Sequence, residues 1–436
     1  MNKRIVTLMI MVCLLVPMAL FAGGQQEAAV EEAGAITAPA EATSVDMIGW
    51  RYPITEFYAG ELEKSNSVKN LTVNTQMFDS GSAKDQVRLA LSGSGVSPYE
   101  IIHGDDGFVL EMAAEGWLMP LDDLIAQYSD KYDLTDISDA LYSLGSFEGK
   151  TYGIPIVSNS MNYFYNMELF EKYNLEVPDT YDDVIATAKV LQAEESIDLP
   201  FTINLHAGWA WRIEFHNFLI GYGGKWLNDD NTPAFNNELG VKAVEKMLEV
   251  YRATMGEKGL TWSIDDSEIG METGTLASAM TWTSRAANMD DPSKSMYVGK
   301  IGFAPAPRVV EGGPHAGPAA ADFYCIPANI DVDPELIFQV IMEAADLESQ
   351  MLAAEEGMVT RGAVAEAGAG GRYLAAAQAT VANGSGNYGS NPAVRLATAA
   401  IDNLLSKVAS GDMTVKEVLD EAAALYTEEA KAQGYL

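Results

Sequence analysis

The sequence predicts an α/β protein built from two domains. A chain of 436 residues is longer than one hydrophobic core usually serves. From residue 45 onward, short apolar runs typical of strands alternate with helical patterns, and this alternation favours mostly parallel sheets flanked by helices. With 48% hydrophobic residues, the chain has enough apolar side chains for two cores. In such sheets ligands collect at the carboxyl ends of the strands.

The N-terminus carries an export pattern. Lys3 and Arg4 precede an apolar run over residues 5–22 that ends in small side chains. A charged start, an apolar stretch and a small-residue end are typical of a cleaved secretory signal peptide, which we assign to residues 1–22. An uncleaved membrane anchor is the alternative, because the run approaches the length of a short spanning helix.

The cysteine positions favour export without a lipid anchor. A lipoprotein needs a cysteine directly after the cleavage point, but the residue directly after Ala22 is not a cysteine. Cleavage there would also remove Cys13. Cys325 would then stand alone, so we expect no disulfide. It lies in a strand-like run and is predicted to be a small buried hydrophobic side chain. Residues 23–44 are rich in Gly, Gln, Glu and Ala, which predicts a flexible leader.

Strand and helix signals alternate three times after the leader. The predicted strands are 45–48, 71–77 and 100–103, and the predicted helices are 54–64, 83–91 and 107–115. The second strand alternates apolar and polar residues, and the second helix has Val87, Ala90 and Leu91 on one face. In a parallel sheet, the residues that follow these strands lie at one edge.

Later helices are marked by capping residues. Asp183 lies three residues after Thr180, and Glu417 three residues after Thr414, which is the spacing of a capping box at a helix N-terminus. An apolar stripe of helical spacing runs over residues 394–408 and ends at a glycine. We interpret such stripes as core faces.

The stretch from 149 to 183 is the most informative in the chain. Its segments 149–155, 163–173 and 177–183 predict, in order, a strand with a tight turn into a second strand, a short helix and a capped longer helix. Their order and spacing resemble the inter-lobe crossover of the extracellular solute-binding proteins, family 1, the carbohydrate-binding receptors of ABC importers. The resemblance continues, in family order, through residues 113–124, 299–307 and 414–426.

This resemblance implies a two-lobed periplasmic-binding-protein fold with a ligand cleft between the lobes. By the resemblance, residues 45–157 and 313–366 form the first lobe, and residues 158–312 and 367–436 form the second. It also implies a monomeric periplasmic receptor that captures a sugar, oligosaccharide or polyol by hinge closure and delivers it to the membrane subunits of an ABC permease. We expect no cofactor, no metal and no catalysed reaction.

Aromatic and acidic residues follow the three predicted strands. Sugar recognition needs flat aromatic rings against C–H faces and polar groups for the hydroxyls. Trp50 follows the first strand, Asp79 the second, and Asp105 and Asp106 the third. We predict that all four bind ligand. Trp50 can equally pack in the core, and one of the paired aspartates can cap the next helix while the other faces the cleft.

Further candidates come from the crossover and from the second lobe. Asn159 lies in a small polar run at the hinge and is a predicted ligand contact. Trp209 and Trp211 would point to the same side in a strand and apart in a helix. We expect at least one of them to stack on the ligand, and the alternative is that one or both pack beneath the helix that follows.

Three candidates lie near the predicted return to the first lobe. Trp282 follows an apolar strand-like run, resembles the family segment that brings an aromatic ring to the sugar, and ranks first among our predicted contacts. Arg285 is a predicted hydrogen-bond donor, with a structural ion pair as the alternative. Asp322 lies where the chain crosses back and is predicted to accept a hydrogen bond from a hydroxyl.

Composition and motifs exclude several functions. A formal net charge of −35 disfavours binding to nucleic acid and to anionic membranes. The chain has no phosphate-binding loop, no nucleophile elbow and no histidine spacing typical of zinc enzymes. A receptor for a polyamine or phosphodiester is an alternative, although Arg212 and Arg285 argue against a cationic ligand. A secreted polysaccharide-cleaving enzyme is the other alternative.

Overall fold

The computed structural model describes residues 36–195, 197, 199–205, 209–388 and 391–436. The predicted signal peptide and most of the predicted leader lie outside these residues. The described end of the leader is packed onto the protein. Thr37 donates its backbone N–H to Oε1 of Gln339 over 2.8 Å, and Ile36 packs against buried apolar side chains.

Strands and helices alternate along most of the described chain. The strands are β1 (Thr43–Trp50), β2 (Leu71–Phe78), β3 (Ile101–Asp105), β4 (Ser146–Phe147), β5 (Lys150–Thr151), β6 (Ile154–Asn159), β7 (Met161–Asn166), β8 (Ser278–Trp282), β9 (Ile301–Pro305) and β10 (Ala320–Cys325). The helices are α1 (Pro53–Lys64), α2 (Ser80–Leu91), α3 (Asp106–Ala114), α4 (Asp122–Tyr132), α5 (Asp139–Leu144), α6 (Met167–Lys172), α7 (Tyr181–Glu195), α8 (Trp209–Gly221), α9 (Glu238–Thr254), α10 (Ile264–Thr273), α11 (Pro334–Ala344), α12 (Leu347–Ala353), α13 (Gly362–Glu366), α14 (Leu374–Ala382), α15 (Pro392–Ile401), α16 (Ser406–Ser410) and α17 (Val415–Ala432). None of these described helices combines the length and apolar character needed to cross a membrane.

The first sheet has five strands in the order β2-β1-β3-β10-β6. β1 runs parallel to β2 and to β3, which confirms the three strands predicted first along the chain. β10 runs antiparallel to β3 and β6. The chain returns from the second sheet at the edge where β3 and β6 end, so β10 must run in the opposite direction to both.

The second sheet has three strands in the order β8-β7-β9 and is antiparallel throughout. The expected parallel pairing therefore holds for β1, β2 and β3, and the other named strand pairs are antiparallel. Parallel neighbours need a long crossover connection. β6 and β7 have only Ser160 between them, so the chain passes from one sheet to the other within a single residue.

Each sheet lies against its own hydrophobic core. The first core gathers side chains from residues 45–157 and 321–353, and the second core gathers them from residues 161–316 and 358–430. Cys325 is buried in the first core, as predicted. Ala316 and Met358, which the predicted lobe boundaries assign to the first lobe, are buried in the second core. The lobe boundaries themselves stay a prediction.

Both predicted capping boxes form. The hydroxyl of Thr180 donates to Oδ2 of Asp183 over 2.7 Å and accepts from the N–H of Asp183 over 3.2 Å. Thr414 and Glu417 exchange the same bonds at the start of α17. The apolar stripe over 394–408 is divided between α15 and α16 by a turn, and most of its side chains are buried in the second core.

Candidate ligand-binding cleft

Four predicted site residues meet at one edge of the first sheet. Trp50 ends β1 and Asp105 ends β3, its neighbour in the sheet. Asp322 of β10 lies opposite Asp105 in the antiparallel register, although the two are far apart in sequence. Asp106 begins α3 directly after Asp105. The carboxyl edge of the parallel strands therefore gathers three carboxylates and a tryptophan, as the fold class leads one to expect.

Asp322 is the centre of a buried hydrogen-bond network. Its Oδ2 accepts from the hydroxyl of Tyr52 and lies 2.8 Å from Nε2 of His103. The backbone N–H of Trp50 donates to Nδ1 of the same histidine over 3.4 Å, which leaves the proton on Nε2 to face Asp322. Burial, and next the charge of Asp322, hold the pKa of Tyr52 well above its usual value. Asp322 is 7% exposed, so its carboxylate mainly supports the cleft edge from within.

Trp50 packs into the first core. The ring lies tilted by 32° against that of His103 at a centroid distance of 3.9 Å, and Nζ of Lys84 lies 5.1 Å from its centroid. Only 7% of Trp50 is exposed. Of the two alternatives for this residue, the structure has the core-packing one, because neighbouring side chains already cover the ring surface that a sugar would need.

Two of the predicted aspartates cap helices. The exposed side chain of Asp79 accepts from the N–H of Ser82 over 2.9 Å at the start of α2. Asp105 accepts from the N–H of Phe108 over 2.8 Å and forms an ion pair with Lys84. Burial acts to raise the pKa of Asp105, but the charge of Lys84 and its hydrogen bond outweigh burial, and the pKa is lower than usual.

Of the two adjacent aspartates, Asp106 has fewer hydrogen-bond and ion-pair partners than Asp105. Its Oδ1 accepts from the N–H of Gly107 over 2.9 Å, and no cation among the described residues forms an ion pair with it. Burial, and next the adjacent charge of Asp105, raise the pKa of Asp106 to about 7. At neutral pH this carboxyl group can therefore donate as well as accept hydrogen bonds.

Asn159 lies where the two sheets meet. Its Oδ1 accepts from the N–H groups of Ser160 and Ser284 over 3.0 and 3.2 Å. Its Nδ2 donates to Oγ of Ser284 over 3.2 Å. The N–H of Thr283 donates to the carbonyl of Ser160 over 2.8 Å. These bonds connect the end of β6 in the first sheet to the segment that follows β8 in the second.

Trp282 is the last residue of β8, and Arg285 lies three residues further along the chain. Trp282 is half-buried and packs against the second core. Arg285 pairs with Glu268 over 2.7 Å and with Asp265 over 3.0 Å, so the ion-pair alternative is realised. The same positive charge partly opposes the raised pKa of Tyr52, which belongs to the first core. Arg285 therefore lies beside the junction of the two cores.

Trp209 and Trp211 both lie in helix α8, so their side chains point to different sides. Trp209 begins the helix and is half-buried, whereas Trp211 is 1% exposed and belongs to the second core. Residues two apart point to different sides of a helix. Trp211 therefore packs in the core, which was the alternative to stacking on the ligand. A ligand in the cleft cannot reach its ring in this conformation.

Arg212 and Tyr388 form a polar pair on the second core. Nη1 of Arg212 lies 3.2 Å from Oδ2 of Asp402, and the guanidinium carbon lies 5.7 Å from the centroid of the Tyr388 ring. Burial lowers the pKa of Arg212, but Tyr388, Asp402 and, more weakly, Asp105 of the first core raise it overall. Nε of Arg212 and Oδ1 of Asp402 are buried without a hydrogen-bond partner among the described residues.

Sequence reasoning missed Tyr388 and Arg395. Arg395 lies in α15, and its guanidinium forms no ion pair or hydrogen bond with the described residues. Burial lowers its pKa, while Glu111 and Asp106 of α3, together with Tyr435, oppose that shift. An arginine inside the apolar stripe over 394–408 was the available signal, and Tyr388 directly follows a glycine-containing loop.

Charged side chains at the edge of the first sheet act on the pKa of arginines that lie beside the second core. We call Asp105, Asp106 and Asp322 the acidic wall, and Arg212, Arg285 and Arg395 the arginine wall. Asp105 acts on the pKa of Arg212 and Asp106 on that of Arg395, yet no hydrogen bond or ion pair joins the two walls in the described structure. Among the described residues, no three His, Cys, Asp or Glu side chains are grouped to hold a metal ion.

A curated bacterial protein matches part of the chain. It is a probable amino-acid ABC transporter periplasmic-binding protein of Sinorhizobium fredii, strain NBRC 101917 / NGR234. The two sequences are 23% identical over 174 residues, which is 39% of this chain and 39% of the relative. The chain therefore matches well under half of the length of that relative.

Two solved structures are similar over most of the described chain. One is an ABC transporter solute-binding protein from Agrobacterium radiobacter K84 in complex with ribitol, with a TM-score of 0.77, 19% identity, and coverage of 89% of this chain and 99% of its own. The other is maltose-bound T. maritima MalE3, with a TM-score of 0.77, 17% identity, and coverage of 88% and 99%. These similarities confirm the two-lobed α/β fold predicted from the sequence.

A longer match, to a family model, identifies the family of this chain. The family model for bacterial extracellular solute-binding proteins matches residues 42–335, which is more than half of the chain. That range begins at β1 and ends as α11 starts, so it includes both sheets and both crossings between them. The resemblance noted in the crossover is thereby confirmed, and this chain belongs to the bacterial extracellular solute-binding proteins.

Proposed function

We propose that this chain is the exported receptor of an ABC importer that captures a sugar, oligosaccharide or polyol and delivers it to the permease. The observation that carries the proposal is the pair of facing walls. The carboxylates and arginines of the two walls act on one another's pKa without bonding to each other, so a solute with many hydroxyl groups can donate to one wall and accept from the other. The solved relatives named above hold ribitol and maltose, which are solutes of this kind.

Hinge closure is the proposed means of capture. β6 and β7 have one residue between them, and Asn159 bonds to Ser284 beside that connection. Rotation at such a short connection changes the gap between the walls while each core stays intact. We keep the lobes proposed from the resemblance, residues 45–157 with 313–366 and residues 158–312 with 367–436, except that Ala316 and Met358 belong to the second lobe because they pack in its core.

The predicted site residues divide by role. Asp106, Asn159, Trp209, Trp282 and Arg285 are the proposed ligand contacts. In this conformation Asp79 and Asp105 cap helices, Asp322 supports Tyr52 and His103, and Trp50 and Trp211 pack in cores, so we assign these five supporting roles. Asp105 also contributes charge to the acidic wall.

Export and partners follow from the same proposal. The family is extracellular, and we propose that residues 1–22 are cleaved as a signal peptide, that no lipid is attached and that the receptor acts as a monomer without catalysing a reaction. Mass spectrometry of the secreted protein tests the first two points. A mature N-terminus near residue 23 without added lipid mass is the expected result.

An amino acid is a second candidate ligand. The curated relative is named for amino-acid transport, and a zwitterion could also lie between a carboxylate and an arginine. The raised pKa of Asp106 is the observation that favours the polyol, because an ammonium group binds best to a carboxylate that stays ionised at neutral pH.

A thermal-shift screen tests the function. The panel holds ribitol, D-mannitol, maltose, xylose and the common L-amino acids, and a true ligand raises the melting temperature by an amount that grows with the logarithm of its concentration over its Kd. Trp282→Ala should abolish the shift. Trp117→Ala is the matched control, because Trp117 is half-buried against the first core and away from the walls. A panel in which only amino acids bind would replace the polyol proposal.

A further inference from the structure

The two edges of the first sheet are closed in different ways. β6 forms one edge, and a later segment of the chain covers it. The N–H of Ser158 donates to the carbonyl of Met358 over 3.0 Å. The hydroxyl of Thr360 donates to the carbonyl of Pro155 over 2.9 Å. β2 forms the other edge and pairs with β1 alone. An uncovered edge presents free backbone N–H and C=O groups to which another strand can bind.

The ladder between β1 and β2 shows which residues of β2 face outward. The N–H of Thr43 donates to the carbonyl of Asn70 over 2.8 Å, and the N–H of Arg51 donates to that of Phe78 over 3.0 Å. In a parallel pair, alternate residues of a strand bond to the same neighbour. The even-numbered residues of β2 therefore face β1. The residues whose backbone groups face away from β1 are Leu71, Val73, Thr75 and Met77.

Asn66 closes the middle of this outward row. It lies in the short 3₁₀ helix Ser65–Ser67, between α1 and β2. Its Oδ1 accepts from the N–H of Val73 over 2.6 Å, and its Nδ2 donates to the carbonyl of Val73 over 3.1 Å. The side-chain amide thus makes both bonds that a neighbouring strand would make to Val73. The N–H of Leu71 is also taken, by the carbonyl of Val68 over 3.2 Å.

The strand itself lacks the usual protection of a sheet edge. Residues 71–78 include no charged residue, no proline and no glycine, and their register with β1 has no bulge. Lysine, proline and bulges are the devices that commonly keep an edge strand from pairing with another chain. Uncharged segments of high β-propensity are the ones that pair most readily. In the described structure no hydrogen bond reaches the outward backbone groups of Thr75 and Met77, so Asn66 is the main barrier.

We propose that the Asn66 amide closes the first sheet to a second copy of this chain, and that β2 without it pairs antiparallel with β2 of that copy. Such a pairing is two-fold symmetric, so a single strand supplies both partners. Any pairing that uses more than two consecutive outward residues includes Val73. One side chain therefore blocks all the longer pairings. The inference goes beyond the proposed function, because it concerns association of the receptor and does not depend on the solute.

The chemistry of β2 fits a second copy of itself. Its exposed side chains, Thr72, Asn74 and Gln76, are polar and uncharged, so their counterparts meet without repulsion and can bond to each other. An antiparallel arrangement also brings the start of each β2, next to Lys69, to the end of the other, next to Asp79. These flanking charges are opposite in sign. Elsewhere a formal net charge of −35 on each copy opposes association.

The test compares four forms of the protein purified after export: wild type, Asn66→Ala, Asn66→Ala with Thr75→Pro, and Asn329→Ala. Proline at position 75 removes an outward N–H that a second strand needs, and it removes no bond to β1. Asn329→Ala is the matched control, because it deletes an exposed amide that donates to the carbonyl of Gly95 over 2.6 Å, away from β2. Sedimentation velocity over a range of concentrations measures association, and high salt screens the repulsion between copies.

The expected result is that wild type and Asn329→Ala sediment alike. Asn66→Ala should form a dimer with an association constant at least about tenfold higher than that of wild type. Adding Thr75→Pro should return sedimentation to that of wild type. Melting temperatures show which variants are folded. If Asn66→Ala does not fold, Asn66→Ser takes its place, since serine already occupies both neighbouring positions of this turn and cannot make both bonds to Val73.

Two outcomes would overturn the inference. A folded Asn66 variant that sediments like wild type at every concentration shows that the amide blocks nothing. Association that persists after Thr75→Pro shows that the copies meet through another surface. Neither outcome bears on solute capture, which the thermal-shift panel tests separately.

Discussion

The indole N–H of Trp226 donates to Nδ1 of His216 over 3.0 Å. That bond leaves the ring proton of the neutral histidine on Nε2, which faces the carbonyl of Gly386 at 3.3 Å. The histidine ring also contacts the Tyr388 ring at a centroid distance of 4.7 Å. A buried histidine on α8 therefore holds the loop that brings Tyr388 beside Arg212.

His216 should make the protein less stable as the pH falls. Burial lowers its pKa from 6.5 to about 4. Between these values the unfolded chain takes up a proton that the folded chain does not, so folding loses about 1.4 kcal/mol per pH unit on acidification. Urea denaturation of wild type and His216→Gln between pH 4 and 7 measures this difference. Parallel pH profiles for the two proteins would contradict the prediction.

Glu214 should make the protein less stable as the pH rises. It is fully buried, and burial raises its pKa from 4.5 to about 8. Its two bonds, from the N–H of Asn204 and Nδ2 of Asn217, are both 3.4 Å long. Between pH 4.5 and 8 the unfolded chain is ionised while the folded chain keeps the proton, so wild-type stability falls as the pH rises.

Glu214→Gln should remove that dependence, because a glutamine has no proton to lose. The free energy of unfolding of the variant minus that of wild type should grow by about 1.4 kcal/mol per pH unit between pH 5 and 8. Chemical denaturation at several pH values provides the measurement. A difference that stays constant over this range would show that Glu214 is ionised in the folded protein.

Gly153, in the crossover segment, should tolerate no side chain. A Cβ atom there would lie 2.7 Å from Cβ of Phe323 and 3.0 Å from Sγ of Cys325, both buried in the first core. We expect Gly153→Ala to cost about 1–3 kcal/mol through overpacking. Gly95→Ala is the control, since its Cβ would meet nothing within 4 Å. Equal melting temperatures for the two variants would refute the clash.

Asn159→Ala should weaken solute binding more than it weakens folding. The variant loses the bonds between Asn159 and Ser284 that connect the two sheets, each worth about 1 kcal/mol. We expect a larger radius of gyration in solution scattering without solute and an affinity for the solute that is lower by about tenfold. Asn329→Ala, which removes an exposed bond to Gly95, is the control and should change neither quantity. An Asn159→Ala variant with unchanged scattering and affinity would exclude a hinge role.

Local features could be predicted well from the sequence. β1, β2 and β3 lie where period-two and apolar patterns indicated strands, and the capping boxes at Thr180 and Thr414 form as their spacing predicts. These features depend on residues a few positions apart, so the sequence contains all the information they need. The family could be identified from the crossover near 149–183 for the same reason: its turns, strands and caps are adjacent along the chain.

By itself, the sequence determined the α/β class, the family and the edge of the first sheet at which polar residues collect. Only the tertiary structure decided what each side chain does there. Asp322 meets Asp105 through the register of β10, Trp211 turns into the core because α8 is helical, and Asn159 bonds to Ser284 beside the connection of the two sheets. These roles depend on contacts between residues far apart in sequence, and on which face of each element is buried, and no local pattern encodes either.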